Sequence, residues 1–111
     1  PKTHRVFKPI VCNEIDYSIK YADRELINTL FAQKGEADEI IIIKDSFVTD
    51  CSIGNLAFRK GTEWFTPNTP LLKGTQREYL LQSGQLQEIE IRQEQLEQFD
   101  EIRVINALNE L

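Results

Sequence analysis

Four consecutive isoleucines, Ile40 to Ile43, restrict this chain more than any other feature of its sequence. The run is short, β-branched and bounded by charged residues, which predicts a strand covered on both faces rather than a helix. A strand of that kind needs a layer on either side. With 111 residues the chain is long enough for one domain with a packed core. Its 41% hydrophobic and 28% charged residues are those of a globular chain, neither disordered nor fibrous.

Around this strand, turn and cap residues predict short elements. A short or edge strand runs from His4 to Ile10 and ends around Pro9. Asp23 caps a helix in which Leu26, Ile27, Leu30 and Phe31 recur at helical spacing until Gly35 stops it. Asp45-Ser46 turns the chain into Phe47-Val48-Thr49. Leu56 to Arg59 and Trp64 to Thr66 follow as strands around a Lys60-Gly61 turn, and a small antiparallel meander is expected. Pro67 and Pro70 bracket a loop, after which Gly74-Thr75-Gln76 opens a second helix that ends at Ser83-Gly84. Ile89 and Ile91 alternate with charged residues, Gln93 to Gln98 suggest a helical turn, and Ile102, Val104 and Ile105 form a last strand. The irregular interleaving argues for a mixed α/β fold with a mostly antiparallel or mixed sheet and short helices, in a single domain spanning 1–111.

Several function classes are disfavoured. A formal net charge of -5, with both signs interspersed, offers no footprint for nucleic acid or an anionic membrane. No apolar stretch approaches the roughly 18 residues needed to span a bilayer, and no leader opens the chain. Cys12 and Cys51 form no disulfide framework or CxxC pair, so a cytoplasmic protein is expected, without a metal site. Neither GxGxxG nor GxxxxGK[ST] is present. The only histidine, His4, has no acidic or cysteine partner nearby in sequence, and the acid-rich stretch Glu88 to Glu101 is broken by apolar residues as a solvated face is. The chain begins at Pro1 and contains no methionine, so it is expected to be part of a longer protein.

A few residues carry chemistry, each with a plainer alternative. Gly74-Thr75-Gln76 places a glycine and two amides at a helix start, where a phosphate can bind, although such a glycine can equally begin a surface helix. Lys20 precedes the capped helix and could form an imine if its pKa were lowered, yet most lysines are merely solvated. Asp50 follows a strand and could be only a turn residue. Asn106-Ala107 follows the last strand, where an amide could reach an anion or simply end the strand.

Taken in order, these segments resemble the C-terminal domain of class IV pyridoxal-phosphate enzymes, the D-amino-acid-aminotransferase-like fold type IV proteins. Lys20-Tyr21-Ala22-Asp23-Arg24 resembles the family's K-x-x-N-R, with Asp23 for the commoner Asn. Ala37-Asp38-Glu39 before the isoleucine run resembles A-D-E-hydrophobic, and Val48-Thr49-Asp50 through Asn55-Leu56 resembles V-T-E-x-x-x-x-N-hydrophobic, with Asp50 for Glu. Thr66-Pro67 matches T-P, Gly74-Thr75-Gln76-Arg77 resembles G-I-T-R, and Asp100-Glu101 through Asn106-Ala107-Leu108 resembles the D-E-x-x-x-x-N-A-L ending of the lyases.

The resemblance implies pyridoxal 5'-phosphate as cofactor and Lys20 as its Schiff-base lysine. It further implies Asp50 opposite the pyridine nitrogen, and Asn55, Gly74, Thr75, Gln76, Asn106 and Ala107 around the cofactor. The implied reaction is that of 4-amino-4-deoxychorismate lyase, releasing pyruvate and 4-aminobenzoate. The alternatives are a class IV aminotransferase for branched-chain or D-amino acids, and a non-catalytic binding or dimerisation domain. An amino-acid-like substrate, a homodimer or association with its own N-terminal domain, and an arginine for the phosphate in that domain also follow from the resemblance.

Overall fold

A computed structural model of the chain describes residues 5–17, 23–109 and 111. Strands β1 (Phe7–Val11), β2 (Glu39–Lys44) and β3 (Phe47–Val48) form one sheet, with β2 between a parallel β1 and an antiparallel β3. Strands β4 (Asn55–Lys60), β5 (Glu63–Pro67), β6 (Gln87–Ile89) and β7 (Glu101–Ile105) form a second sheet in the order β6-β5-β4-β7. There β4 is antiparallel to both neighbours, while β6 runs parallel to β5. The helices are α1 (Arg24–Phe31) and α2 (Thr75–Gln82), and 3-10 turns occupy Ala32–Lys34 and Gln93–Gln98.

The isoleucine run organises these layers. Ile40 and Ile42 cluster with Ile27 and Leu30 of α1, whereas Ile41 and Ile43 cluster with Leu56, Phe58 and Val104 of the second sheet. Side chains alternate across a strand, so one run of four seals two interfaces. None of the four is more than 1% exposed, and burying each contributes about 2 kcal/mol. The outer face of the second sheet presents Ala57 and Ile105, which Leu80 of α2 covers. The stack is therefore α1, first sheet, second sheet, α2.

Local signals account for the boundaries. The Asp23 carboxylate accepts from the Leu26 amide at 3.0 Å, capping α1, and Gly35 takes the positive φ of 61° that ends the turn after it. Asp45 and Ser46 both adopt positive φ, 53° and 74°, the left-handed pair a two-residue hairpin requires. Both cysteines are buried, and among the described residues no helix is long and apolar enough to cross a membrane.

Three expectations change. β1 continues through Pro9 to Val11, because β1 stands at the edge of its sheet, where a residue without N–H is tolerated. Of the expected meander only the antiparallel β4–β5 hairpin forms, and the strands divide into two sheets instead of one. β3 pairs back onto β2 at Ile43↔Val48 and is bridged to Arg92 at Phe47, while β4 starts the other sheet. Between them the buried stretch from Thr49 to Ser52 crosses from one sheet to the other, its ends fixed by the Thr49 amide on Ile42 O at 3.0 Å and Ser52 Oγ on Glu39 Oε1 at 2.7 Å.

Candidate functional site

Asn55 lies opposite Ile105 in the antiparallel β4–β7 ladder, so the start of β4 and the end of β7 meet at one corner of the second sheet. The N-terminus of α2 sits over that corner. Together they enclose a cleft of about 370 Å³. Gly54 and Asn55 form one wall, Leu72 and Gly74 to Gln76 a second, and Ile105 to Ala107 the third.

Two glycines let the walls approach. A Cβ on Gly54 would lie 2.5 Å from the Ile105 carbonyl oxygen, and one on Gly74 would lie 2.6 Å from Asn55 Oδ1. Real Cβ atoms do not come so close, so glycine is the residue these positions accept. Gly74 is also the N-cap of α2 and makes no side-chain cap bond, so Thr75 is the first helical residue rather than the cap. The first-turn amides of an α-helix point out of its N-terminal end with a partial positive charge. In α2 that end opens on the cleft.

Asn55 is 4% exposed and holds the second wall in place. Its Nδ2 donates to Asp50 Oδ1 at 2.9 Å and to the Leu72 carbonyl at 2.7 Å, and its Oδ1 accepts from the Gly74 amide at 3.1 Å. The amide orientation is dictated by these partners, since the flipped form would set the oxygen against two acceptors. Asp50 is fully buried, and its Oδ2 accepts from the Leu71 and Leu72 amides at 2.9 and 3.1 Å. A carboxylate in the interior requires such donors. Its position is behind the cleft wall rather than on it, gripping the loop that carries Leu72.

The third wall is a tight turn. Asn106 and Asn109 exchange backbone bonds of 3.0 and 3.1 Å. The Asn106 Oδ1 accepts from the Leu108 and Asn109 amides at 2.9 and 3.0 Å, and its Nδ2 donates to Ile53 O at 3.2 Å. The side chain of Asn106 thus shapes the turn that presents Ala107, rather than reaching outward as an anion ligand.

Lys20 lies outside the described residues, so the structure leaves its place unstated. The other residues singled out by sequence fall in two groups. Gly74, Thr75, Gln76, Asn106, Ala107 and Asn55 line the cleft, while Asp50 supports it from beneath. Sequence reasoning gave no role to Gly54 or Leu72, and it read Arg77 only as the last residue of the G-I-T-R-like phosphate turn. A lone glycine beside a strand does signal close backbone approach, which marks Gly54. Arg77, third residue of α2, is 1% exposed and directs its guanidinium to the Pro67 carbonyl at 3.2 Å and to the carboxylates of Glu78 and Glu88. Nothing near Arg77 in sequence announces that burial, because Glu88 lies eleven residues on. The residues lining the cleft are all uncharged, so among the described residues its donors are neutral.

The motif order that suggested this cleft extends to known proteins. A model of the family "Amino-transferase class IV" matches residues 18–111. An uncharacterized protein of Haemophilus influenzae (strain ATCC 51907 / DSM 11121 / KW20 / Rd) is 63% identical over 110 residues, 99% of this chain and 58% of that protein. A crystal structure from Haemophilus somnus 129PT, provisionally named a 4-amino-4-deoxychorismate lyase, superposes with a TM-score of 0.93 at 54% identity, over 100% of this chain and 57% of that one. An aminotransferase from Brucella abortus bound to the co-factor PLP has the same fold, with a TM-score of 0.72 at 15% identity over 96% of this chain and 44% of that one. The chain spans a little over half the length of the first two. With the family matched over most of its residues and the fold shared throughout, the chain belongs to the class IV aminotransferase family.

Proposed function

We propose that the complete protein is a pyridoxal-phosphate-dependent lyase acting on 4-amino-4-deoxychorismate, and that this chain is its cofactor-holding half. The observation that carries the reading is the convergence of the α2 N-terminus, Gly54 and the Asn106–Asn109 turn on one cleft. The donor set suits a phosphate: helix-start amides, a turn amide at Ala107, and glycines where a side chain would close the space. The lyase is favoured over other reactions of the family by the Asp100-Glu101 to Asn106-Ala107-Leu108 ending and by the name given to the Haemophilus somnus protein.

Pyridoxal phosphate supplies an electron sink next to the substrate's α-carbon. In this reading Lys20 binds it covalently and moves the proton at that carbon. Asp50 holds its negative charge on the ring-nitrogen side, and the amides of Thr75, Gln76 and Ala107 receive the phosphate. Leu72 shields one side of the cleft from water. The uncharged cradle lacks a formal counter-charge for a phosphate dianion, which in a partly dry site calls for a cation. That cation is assigned to the part of the complete protein beyond this chain, so the isolated chain binds cofactor poorly.

The test is to assay the complete protein for 4-aminobenzoate release and, separately, for keto-acid-dependent amino transfer. Release of 4-aminobenzoate together with loss of the lysine-bound cofactor absorption in Lys20→Ala is expected. Amino transfer without 4-aminobenzoate would move the protein to the aminotransferases, and an unchanged absorption in Lys20→Ala would remove Lys20 from its role. No product in either assay, with no cofactor taken up, would favour a binding domain.

A further inference from the structure

We infer that Asn55 is a positioning residue that couples the two ends of the cofactor cleft, an inference that rests on the proposed pyridoxal-phosphate site. Its three side-chain hydrogen bonds go to three different parts of that site. One reaches the Asp50 carboxylate behind the wall, on the side proposed for the ring, one the Leu72 carbonyl on the wall, and one the Gly74 amide at the start of the proposed phosphate turn. Asp50 in turn takes the Leu71 and Leu72 amides, so the loop 71–74 is gripped from both sides by two side chains that are themselves joined.

The physical consequence is a fixed spacing. A planar ring with a phosphate arm is nearly rigid, and its two polar ends must be met at a set separation. The start of β4 supplies the ruler, because Asn55 is anchored opposite Ile105 in the sheet and its amide is nearly buried. Gly74 completes the device. With a Cβ position only 2.6 Å from Asn55 Oδ1, the helix start rests directly on the amide. A disturbance at Gly74 therefore moves Asn55, and with it the donor to Asp50. Asn55 acts through these partners without needing to touch the cofactor.

The experiment uses the complete protein and three variants, Asn55→Ala, Asn55→Asp and Gly74→Ala. Four quantities are read: the dissociation constants of pyridoxal 5'-phosphate and of inorganic phosphate on the apoprotein, the pH dependence of the lysine-bound cofactor absorption, and the thermal midpoint of the apoprotein. Both Asn55 variants are expected to weaken pyridoxal phosphate about tenfold or more, through loss of buried hydrogen bonds, and to shift the pH profile. Gly74→Ala is expected to weaken inorganic phosphate and also to shift the pH profile, although the substitution is made at the phosphate end. If the Asn55 variants do not fold, Gly74→Ala decides alone. A lowered thermal midpoint with unchanged dissociation constants and pH profile would reduce Asn55 to a structural residue and overturn the coupling. So would a Gly74→Ala protein that loses phosphate affinity with its pH profile intact. If the unsubstituted protein takes up no cofactor, the proposed site fails and the coupling with it; if it does and the variants match it, only the coupling fails.

Discussion

Arg77 and Asp50 are both buried ionic side chains within reach of the 71–77 segment, yet the fold treats them in opposite ways. The Arg77 guanidinium is met by the carboxylates of Glu78 and Glu88, whose side chains are 44% and 43% exposed, and by the Pro67 carbonyl. Opposite charges cancel it locally. The Asp50 carboxylate accepts from the Leu71 and Leu72 amides and the Asn55 side chain, neutral donors that stabilise a buried charge. Arg77 ties α2 to the edge of the second sheet, and Asp50 ties the cleft loop to the start of β4. The first arrangement joins a helix to a sheet, and the second shapes the loop that forms a wall of the cleft.

The largest effect is expected from removing Arg77. Arg77→Ala opens a space under α2 and loses the bonds to Pro67, Glu78 and Glu88, costing about 3 kcal/mol in urea denaturation. The freed carboxylates are half-exposed and water can solvate them, which keeps the cost from rising further. If the comparison is right, this variant of the complete protein retains the pH profile of its bound cofactor. A changed profile at unchanged stability would show that Arg77 belongs to the site.

Asp50→Glu sharpens the other half. The resemblance makes glutamate the usual residue, but a side chain at 0% exposure has no room for another methylene without shifting the loop it grips. Overpacking of this kind costs about 2 kcal/mol, and cofactor affinity should fall with it. A Glu variant that is as stable as the parent and binds cofactor more tightly would mean that the carboxylate reaches the ring and only incidentally holds the loop.

Gly54→Ala should be milder. Its Cβ would lie 2.5 Å from the Ile105 carbonyl oxygen, a backbone atom that cannot rotate aside, so the start of β4 and the end of β7 must part. About 1 kcal/mol is expected, together with weaker phosphate binding, because the cleft's first and third walls separate. Phosphate binding at parental strength would place the anion elsewhere.

Much of this was readable in the chain because the responsible interactions are local. Asp23 and Gly35 bound α1, the β-branched run announces β2 and its double cover, and Asp45-Ser46 marks a turn. What escaped is non-local. Nothing near Asn55 says that β4 opens another sheet beside β7, nor that β1 and β6 each join in parallel, since those choices are made by contacts tens of residues apart. The site divides along the same line. Motif order pointed to the residues around the cleft, whereas the burial of Arg77 depends on Glu88 and the use of Asn55 as a three-way joint depends on Asp50, Leu72 and Gly74 meeting in space.

The smallest effect concerns an ion pair at the surface, where charge pairing contributes least. Glu101 on β7 accepts from Arg103 Nε at 2.7 Å and Arg59 Nε at 3.0 Å. The Arg103 hydrogen bond chiefly holds its carboxyl below the ordinary value of 4.5, burial opposes that shift, and Arg59 adds to the lowering. A carboxyl whose folded pKa lies below its unfolded one contributes stability that is fully present above pH 4.5 and is lost as pH falls through the folded value. Glu101→Gln should therefore be slightly less stable than the parent near neutral pH, and the two should converge in acid. Because Arg59 and Arg103 are partly exposed, at 32% and 43%, added salt should shrink the difference at neutral pH as well. A stability gap that persists below the folded pKa, or that ignores salt, would show that Glu101 acts through packing at the β4–β7 edge and that its pairing with the two arginines is incidental.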